Sequence, residues 1–429
     1  MEIILYYTIP KNFLQVLKKA LPYGKITLQR KNIIPKGDCN MNHFTWYNPT
    51  KILFGKGAIE KMRSELEGVG KNVLLTYGGG SIKRNGVYDS VIAILTDLGK
   101  CVYELSGIMP NPRKEIVYEG IKICKENKID FILAVGGGSV IDASKAMAAG
   151  ACTERDFWDA FYINREELTD ALPIGSVLTL PATGSEMNSG GVVTDWQNNI
   201  KTAYEHPLLF PKFSVLDPTY TYSLPREQII YGAVDMLSHL FEVYFSYPND
   251  NNLSDDLAEA IMKNIKINLA IALEDPYNYE ARANLMWDGS MALNGITKLS
   301  KGQDWETHQI EHAMSAFFDI PHGAGLAVVH PNFMRYTYKY ATEKYVRYAI
   351  NIWGVDPTGK TDDEIAMEGI RATHDYFKSI GAPTTLSEVG ISVDAADKIV
   401  SRTFLLDGGY HACTEEDIKN IVLMCNEEW

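Results

Sequence analysis

Two textures divide the chain. Up to about Tyr222, short apolar runs alternate with stretches whose apolar positions recur every three or four residues, the pattern of strands joined by amphipathic helices. Five runs read as strands, at 71–77 (KNVLLTY), 100–104, 131–135 (FILAV), 174–179 and 213–216. Their near-continuous hydrophobicity is that of central strands in a mostly parallel sheet covered on both faces. From Arg226 onward helical periodicity is almost unbroken, and no strand is expected. The predicted architecture is an α/β domain over 41–222 followed by an all-α domain over 223–429, with an extension over 1–40.

Glycines punctuate the first half in an informative way. VLLTYGGGSIKR and FILAVGGGSVIDASK each place a Gly-Gly-Gly-Ser turn between a strand and a helix. Such a turn lets the backbone approach a pyrophosphate closely, and the free N–H groups at the helix start favour its negative charge. Neither is the G-x-G-x-x-G fingerprint, and one such turn is as readily a plain tight connection. Two in one sheet favour a dinucleotide site. An acidic residue at the end of the first strand would hold a ribose 2′-hydroxyl and repel a 2′-phosphate. Here Tyr77-Gly78-Gly79-Gly80-Ser81 stands there instead, with Lys83 and Arg84 beyond, which favours NADPH over NADH. A third loop, LPATGSEMN, offers Thr183 and Ser185 after Thr179, though such loops are common, and Lys201 is either plain surface, as a lone lysine usually is, or within reach of a ribose or phosphate.

The helical half carries the other chemistry. Asp235 and His239 lie four apart in GAVDMLSHLFE, so both side chains leave one face of one turn. HQIEHAMSAFFDIPHG then supplies His308, His312 and His322. A carboxylate and imidazoles suit Fe(II), Zn(II) or a similar divalent ion. His308 and His312 share a helix face, so spacing alone does not choose between them. A lone histidine on an apolar helix is more often a satisfied core residue than a ligand, and His206 and His330, beside prolines in turn-like contexts, have no partner at ligand spacing. Trp287, Trp305, Phe317 and Phe318 read as core rather than as a cofactor box.

Composition narrows the class. The chain of 429 residues is 46% hydrophobic with net charge -13, a globular protein without the clustered positive charge that nucleic acid requires. Six cysteines without a C-x-x-C spacing fit a reduced, cytoplasmic setting. No uninterrupted apolar run is long enough to span a bilayer. The first 40 residues hold seven basic and two acidic residues and lack a secretory pattern, reading as a start-site or cloning artefact rather than an arm or partner-binding tail.

From about Asn42 to the C-terminus the chain resembles the iron-containing alcohol dehydrogenases, particularly their NADPH-dependent butanol dehydrogenase branch. GGGSVIDASK, LPATGSEMN, SVLDPTYTYSLPREQIIYGAVDMLSHLFE and HQIEHAMSAFFDIPHGAGLAVV carry the resemblance. It implies a dinucleotide-binding domain followed by a metal-binding domain, the architecture shared with dehydroquinate synthase. It also implies metal ligands at Asp235, His239, His308 and His322, with His312 beside the substrate and nicotinamide as the proton relay. By the same resemblance the pyrophosphate lies on Gly137, Gly138 and Ser139, with Asp142 towards the nicotinamide as a further catalytic group. The adenosine 2′-phosphate lies on Gly79, Gly80 and Ser81, while Asn111, Thr179, Thr183 and Lys201 contact the cofactor. The implied activity is reduction of short-chain aldehydes such as butanal, or oxidation of the alcohols, by a homodimer that uses NADPH in preference to NADH. A metal-dependent lyase or polyol dehydrogenase on the same scaffold is the nearest alternative. Met314 departs from the smaller aliphatic residue usual at its position, and the basic extension has no counterpart in the family pattern.

Overall fold

Period-two alternation of apolar side chains organises the first half. The computed structural model describes residues 3–5, 26–28, 43–249, 252–426 and 429. Ile3–Leu5 (β1) and Ile26–Leu28 (β2) form a two-stranded parallel pair. The expectation for 1–40 otherwise lies outside the described residues. The strands that follow are Lys51–Phe54 (β3), Asn72–Tyr77 (β4), Cys101–Leu105 (β5), Phe131–Gly137 (β6), Ile174–Leu180 (β7), Gly190–Asp195 (β8), Ile200–Glu205 (β9) and Phe213–Leu216 (β10).

Six of these make one sheet in the order β3-β10-β7-β6-β4-β5, and every pairing in it is parallel. Along β4 and β6, Val73, Leu75, Leu133 and Val135 face one apolar cluster with Val91, Ile94 and Leu95 of helix α3 (Val87–Asp97). Leu74, Ile132 and Ala134 face the opposite cluster, with Val117 of α4 (Lys114–Glu126) and Ile141 and Met147 of α5 (Gly138–Ala151). Alternate side chains thus enter opposite cores, as a doubly covered sheet requires. Two short helices, α1 (Met62–Glu67) and α2 (Ser81–Arg84), complete this half.

All five expected strands are present. Edge strand β3 and the antiparallel β8–β9 hairpin were not expected. β3 is four residues long with one buried position, too short to show a period, while β8 opens on Gly190-Gly191 and reads as loop.

Beyond Leu216 the described residues contain no strand. The long helices are α6 (Arg226–Tyr244), α7 (Leu253–Glu274), α8 (Tyr279–Leu293), α9 (Glu306–Phe318), α10 (His322–Thr337), α12 (Asp362–Ile380) and α14 (Glu415–Met424); α11 (Thr342–Tyr348) and α13 (Ala396–Val400) are shorter. α6 is buried on every side from Gly232 to Tyr244, so its polar residues are enclosed with the apolar ones. At Gly323 a Cβ would lie 2.1 Å from the Tyr231 carbonyl oxygen, so only glycine lets α10 meet α6 backbone to backbone. Trp287, expected in the core, is instead 39% exposed with its ring edge-on to Phe54 of β3. Among the described residues no helix is long and apolar enough to cross a membrane.

Candidate metal and nucleotide site

The four donors expected at the metal converge on one carboxylate oxygen. Asp235 Oδ1 lies 3.3 Å from His239 Nε2, 3.5 Å from His322 Nε2 and 3.8 Å from His308 Nε2. Ligand bonds of about 2.0–2.1 Å in a tetrahedral arrangement put donors about 3.4 Å apart. Asp235 Oδ1 and His308 Nε2 are buried and find no hydrogen-bond partner among the described residues. Orphaned polar atoms so enclosed are costly unless something else satisfies them. A divalent cation does so, and the residues fit one.

The ligand helices arrive from different directions. α6 presents Asp235 and His239 one turn apart, α9 presents His308, and His322 opens α10 directly after Pro321. Burial pushes the Asp235 carboxyl up, but His239, His322 and His308 together outweigh it and hold it below its ordinary range. Burial carries His239 down to about 3 against the pull of Asp235, leaving a neutral imidazole. His308 is also penalised by burial, yet Asp235 and Glu242 lift it to about 9, so a cation at Nε2 must displace a proton there.

His312 is buried beside the cluster, its ring centroid 5.7 Å from that of His322 and 6.4 Å from that of His308. Its Nδ1 has no hydrogen-bond partner, and burial followed by repulsion from Lys201 holds it well below the usual imidazole value. Glu311, His312 and His322 also form a ligand-like group. There the Lys201 ammonium already sits 3.1 Å from Glu311 Oε2, so a cation is in place. His330, expected in a turn, instead lies buried inside α10, with Nδ1 2.6 Å from Ser238 Oγ.

The glycine-rich turns stand at the carboxyl ends of neighbouring strands. Gly79, Gly80 and Ser81 follow β4, Gly137, Gly138 and Ser139 end β6 and open α5, and Thr179 and Thr183 lie at and after the end of β7. Since β7, β6 and β4 are adjacent, the three segments line one edge, where open parallel sheets bind ligands. A Cβ at Gly138 would meet Thr183 Oγ1 at 2.3 Å, which keeps the second turn and the third loop in close contact. At Gly79 a Cβ would meet nothing within 4 Å. Lys83 lies 3.8 Å from Glu104 Oε2 and over the rings of Tyr77 and Tyr88.

Several expected cofactor residues have protein partners. The Asp142 carboxylate accepts from Ser185 Oγ at 2.5 Å and from Val192 N–H at 3.0 Å, and burial raises its pKa. Asn111 donates across the domains to Asp319 Oδ1 (3.1 Å) and the Ile320 carbonyl (3.2 Å). Lys201 reaches past the turns to Glu311 and to within 3.3 Å of His322 Nδ1. Glu242 and Glu311 are the polar residues the sequence reading missed. Glu242 stands seven after Asp235 and three after His239, on their helix face, and that spacing was the available signal.

Comparison with known proteins agrees with this geometry. Residues 49–218 match the family described as iron-containing alcohol dehydrogenase, and residues 229–424 match the C-terminal region of the Fe-containing alcohol dehydrogenase family. The chain is 45% identical over 384 residues to a probable NADH-dependent butanol dehydrogenase of Bacillus subtilis, covering 89% of this chain and 99% of that protein. It is 40% identical over 353 residues to an NADPH-dependent aldehyde reductase of Escherichia coli, covering 82% and 90% of the two chains. The crystal structure of NADH-dependent butanol dehydrogenase A from Thermotoga maritima superimposes with a TM-score of 0.87 at 40% identity, over 90% of this chain and 99% of that one. With both halves matched and the donor set where a metal needs it, the chain belongs to the iron-containing alcohol dehydrogenase family.

Proposed function

We propose that the protein is a metal-dependent aldehyde reductase, reversible as an alcohol dehydrogenase, that uses NADPH on short-chain primary substrates such as butanal. The observation that carries this reading is the convergence of three imidazole Nε2 atoms on Asp235 Oδ1, next to a Gly-lined strand edge. Asp235, His239, His308 and His322 hold one Fe(II) or Zn(II), and family membership favours this activity over a lyase or polyol dehydrogenase. When bound, the ion polarises the substrate carbonyl and the reduced nicotinamide supplies the hydride. Backbone N–H groups at Gly137, Gly138 and Ser139 receive the pyrophosphate at the start of α5. Asn111, Thr179, Thr183 and Lys201 line the cofactor, and Asp142 braces the turn through Ser185. His312, neutral near pH 7, relays the proton that the product oxygen requires. The domains divide at 222/223, and we place the enzyme in the cytoplasm as a homodimer without nucleic-acid or membrane partners.

Freshly purified protein should contain about one Fe or Zn per chain and oxidise NADPH when butanal is added, with turnover lost on chelation. Bound metal without NADPH oxidation would refute the reductase reading.

Coenzyme choice rests here on the first turn, since relatives are named for NADH (45% identical) as well as for NADPH (40% identical). Gly79 has open space and a φ outside the left-handed region, so Gly79→Asp adds charge without a clash. The carboxylate would face the 2′-phosphate, and kcat/KM for NADPH should fall at least about tenfold (~1.4 kcal/mol) more than for NADH. Equal losses with the two nucleotides would remove the 2′-phosphate from this turn.

A further inference from the structure

Two buried carboxylates beside the ligands have no part in the proposed reaction. Glu242 and Glu311 have side chains 1% and 0% exposed. Glu242 Oε1 accepts from the His308 ring Nδ1 at 2.7 Å and from the His308 backbone N–H at 3.0 Å, while Oε2 accepts from Trp305 N–H at 2.9 Å. Glu311 Oε2 accepts from His322 Nδ1 and, at 3.1 Å, from Lys201 Nζ. Room for Glu311 is built into the next helix, where a Cβ on Gly325 would come within 2.8 Å of its Cγ.

We propose that Glu242 and Glu311 are positioning residues that pre-form the metal centre, each fixing one ligand imidazole with Nε2 turned towards Asp235. The proposal rests on the metal reading of the site. An imidazole that donates Nδ1–H to a carboxylate has its tautomer and ring orientation set, and its other nitrogen becomes a stronger ligand. Among the described residues His239 has no such brace; its Nδ1 finds no partner there, and its ring is stacked on that of His308 at 5.0 Å. The two braces therefore hold the two ligands that come from outside α6.

Glu242 does a second task. The segment before α9 contains three non-glycine residues in the left-handed region, Ser300, Gln303 and Trp305, with φ of 68°, 61° and 65°. Such conformations persist where the surroundings over-determine them. α9 has no side-chain cap of its own, and Glu242 from α6 takes the Trp305 and His308 N–H groups in its place.

The test uses the full chain loaded with Zn(II) or Co(II), comparing wild type with Glu242→Gln and Glu311→Gln. Each isosteric variant should release Zn(II) to a chelator about 10- to 100-fold faster and show an altered Co(II) visible spectrum. The spectrum reports ligand geometry, which a carboxylate that only stabilised the fold would leave unchanged. Release rates and spectra equal to wild type in both variants would overturn the proposal while leaving the metal centre standing. A wild-type chain that takes up neither ion would overturn both.

Discussion

Asp235→Ala should yield protein without bound metal and with kcat reduced at least about 10³-fold, the equivalent of roughly 4 kcal/mol of lost transition-state stabilisation. Asp235 is the one ligand that all three imidazoles face, so its loss removes the common vertex as well as one bond. The alanine also removes the carboxylate that faces the Nε2 atoms of all three histidines, which raises the cost of placing a cation among them. His308→Ala should lose metal too, but it keeps the Asp235–His239 pair and also frees Glu242 from its ring partner. Metal analysis by mass spectrometry and NADPH-linked turnover are to be measured on the same preparation. Either variant with full metal and full turnover would remove that residue from the ligand set.

His312→Ala should separate proton transfer from metal binding. Its side chain is no member of the group around Asp235, so the variant should retain metal while kcat falls about 10²- to 10⁴-fold, the range for a lost general acid or base. The sign of the pH effect follows from burial. Because burial and Lys201 hold the imidazole well below its usual pKa, the protonated form becomes scarcer with each rise in pH. Aldehyde reduction consumes a proton, so the wild-type rate should decline as pH rises, and the alanine variant should flatten that slope. A variant with an unchanged pH profile would take His312 out of the relay.

The features legible in the sequence are those set by local periodicity. The five central strands and the helical second half follow from apolar spacing, because buried strands and amphipathic helices differ in period. β3 was invisible because one buried residue, Leu53, makes no period. The ligand residues stood out because Asp235 and His239 share a helix face, and the choice of His308 over His312 came from resemblance. In the structure it is His308 Nε2, at 3.8 Å, that faces Asp235. Glu242 and Glu311 escaped notice for a physical reason. A glutamate among helical residues reads as solvated surface, and only tertiary packing encloses these two, Glu242 against the start of α9 and Glu311 beside Gly325 of α10. The protein partners of Asn111 and Lys201 were illegible for the same reason, since each bond joins the two halves of the chain.

Those cross-domain bonds have a mechanical consequence. Asp235, His239 and His308 belong to α6 and α9, whose mutual geometry is fixed inside the helical half. His322 is different: Asn111 holds Asp319 and Ile320 just before it, Arg113 pairs with Asp319 at 2.8 Å, and Lys201 on β9 approaches its ring. Any displacement of one half against the other would load these bonds and, through them, the His322 corner. Its side chain is 23% exposed, against 3–6% for the other three ligands. In the proposed coordination shell His322 would thus be the one jointed limb, wired to the first half of the chain, through which a coenzyme seated there would be felt at the metal.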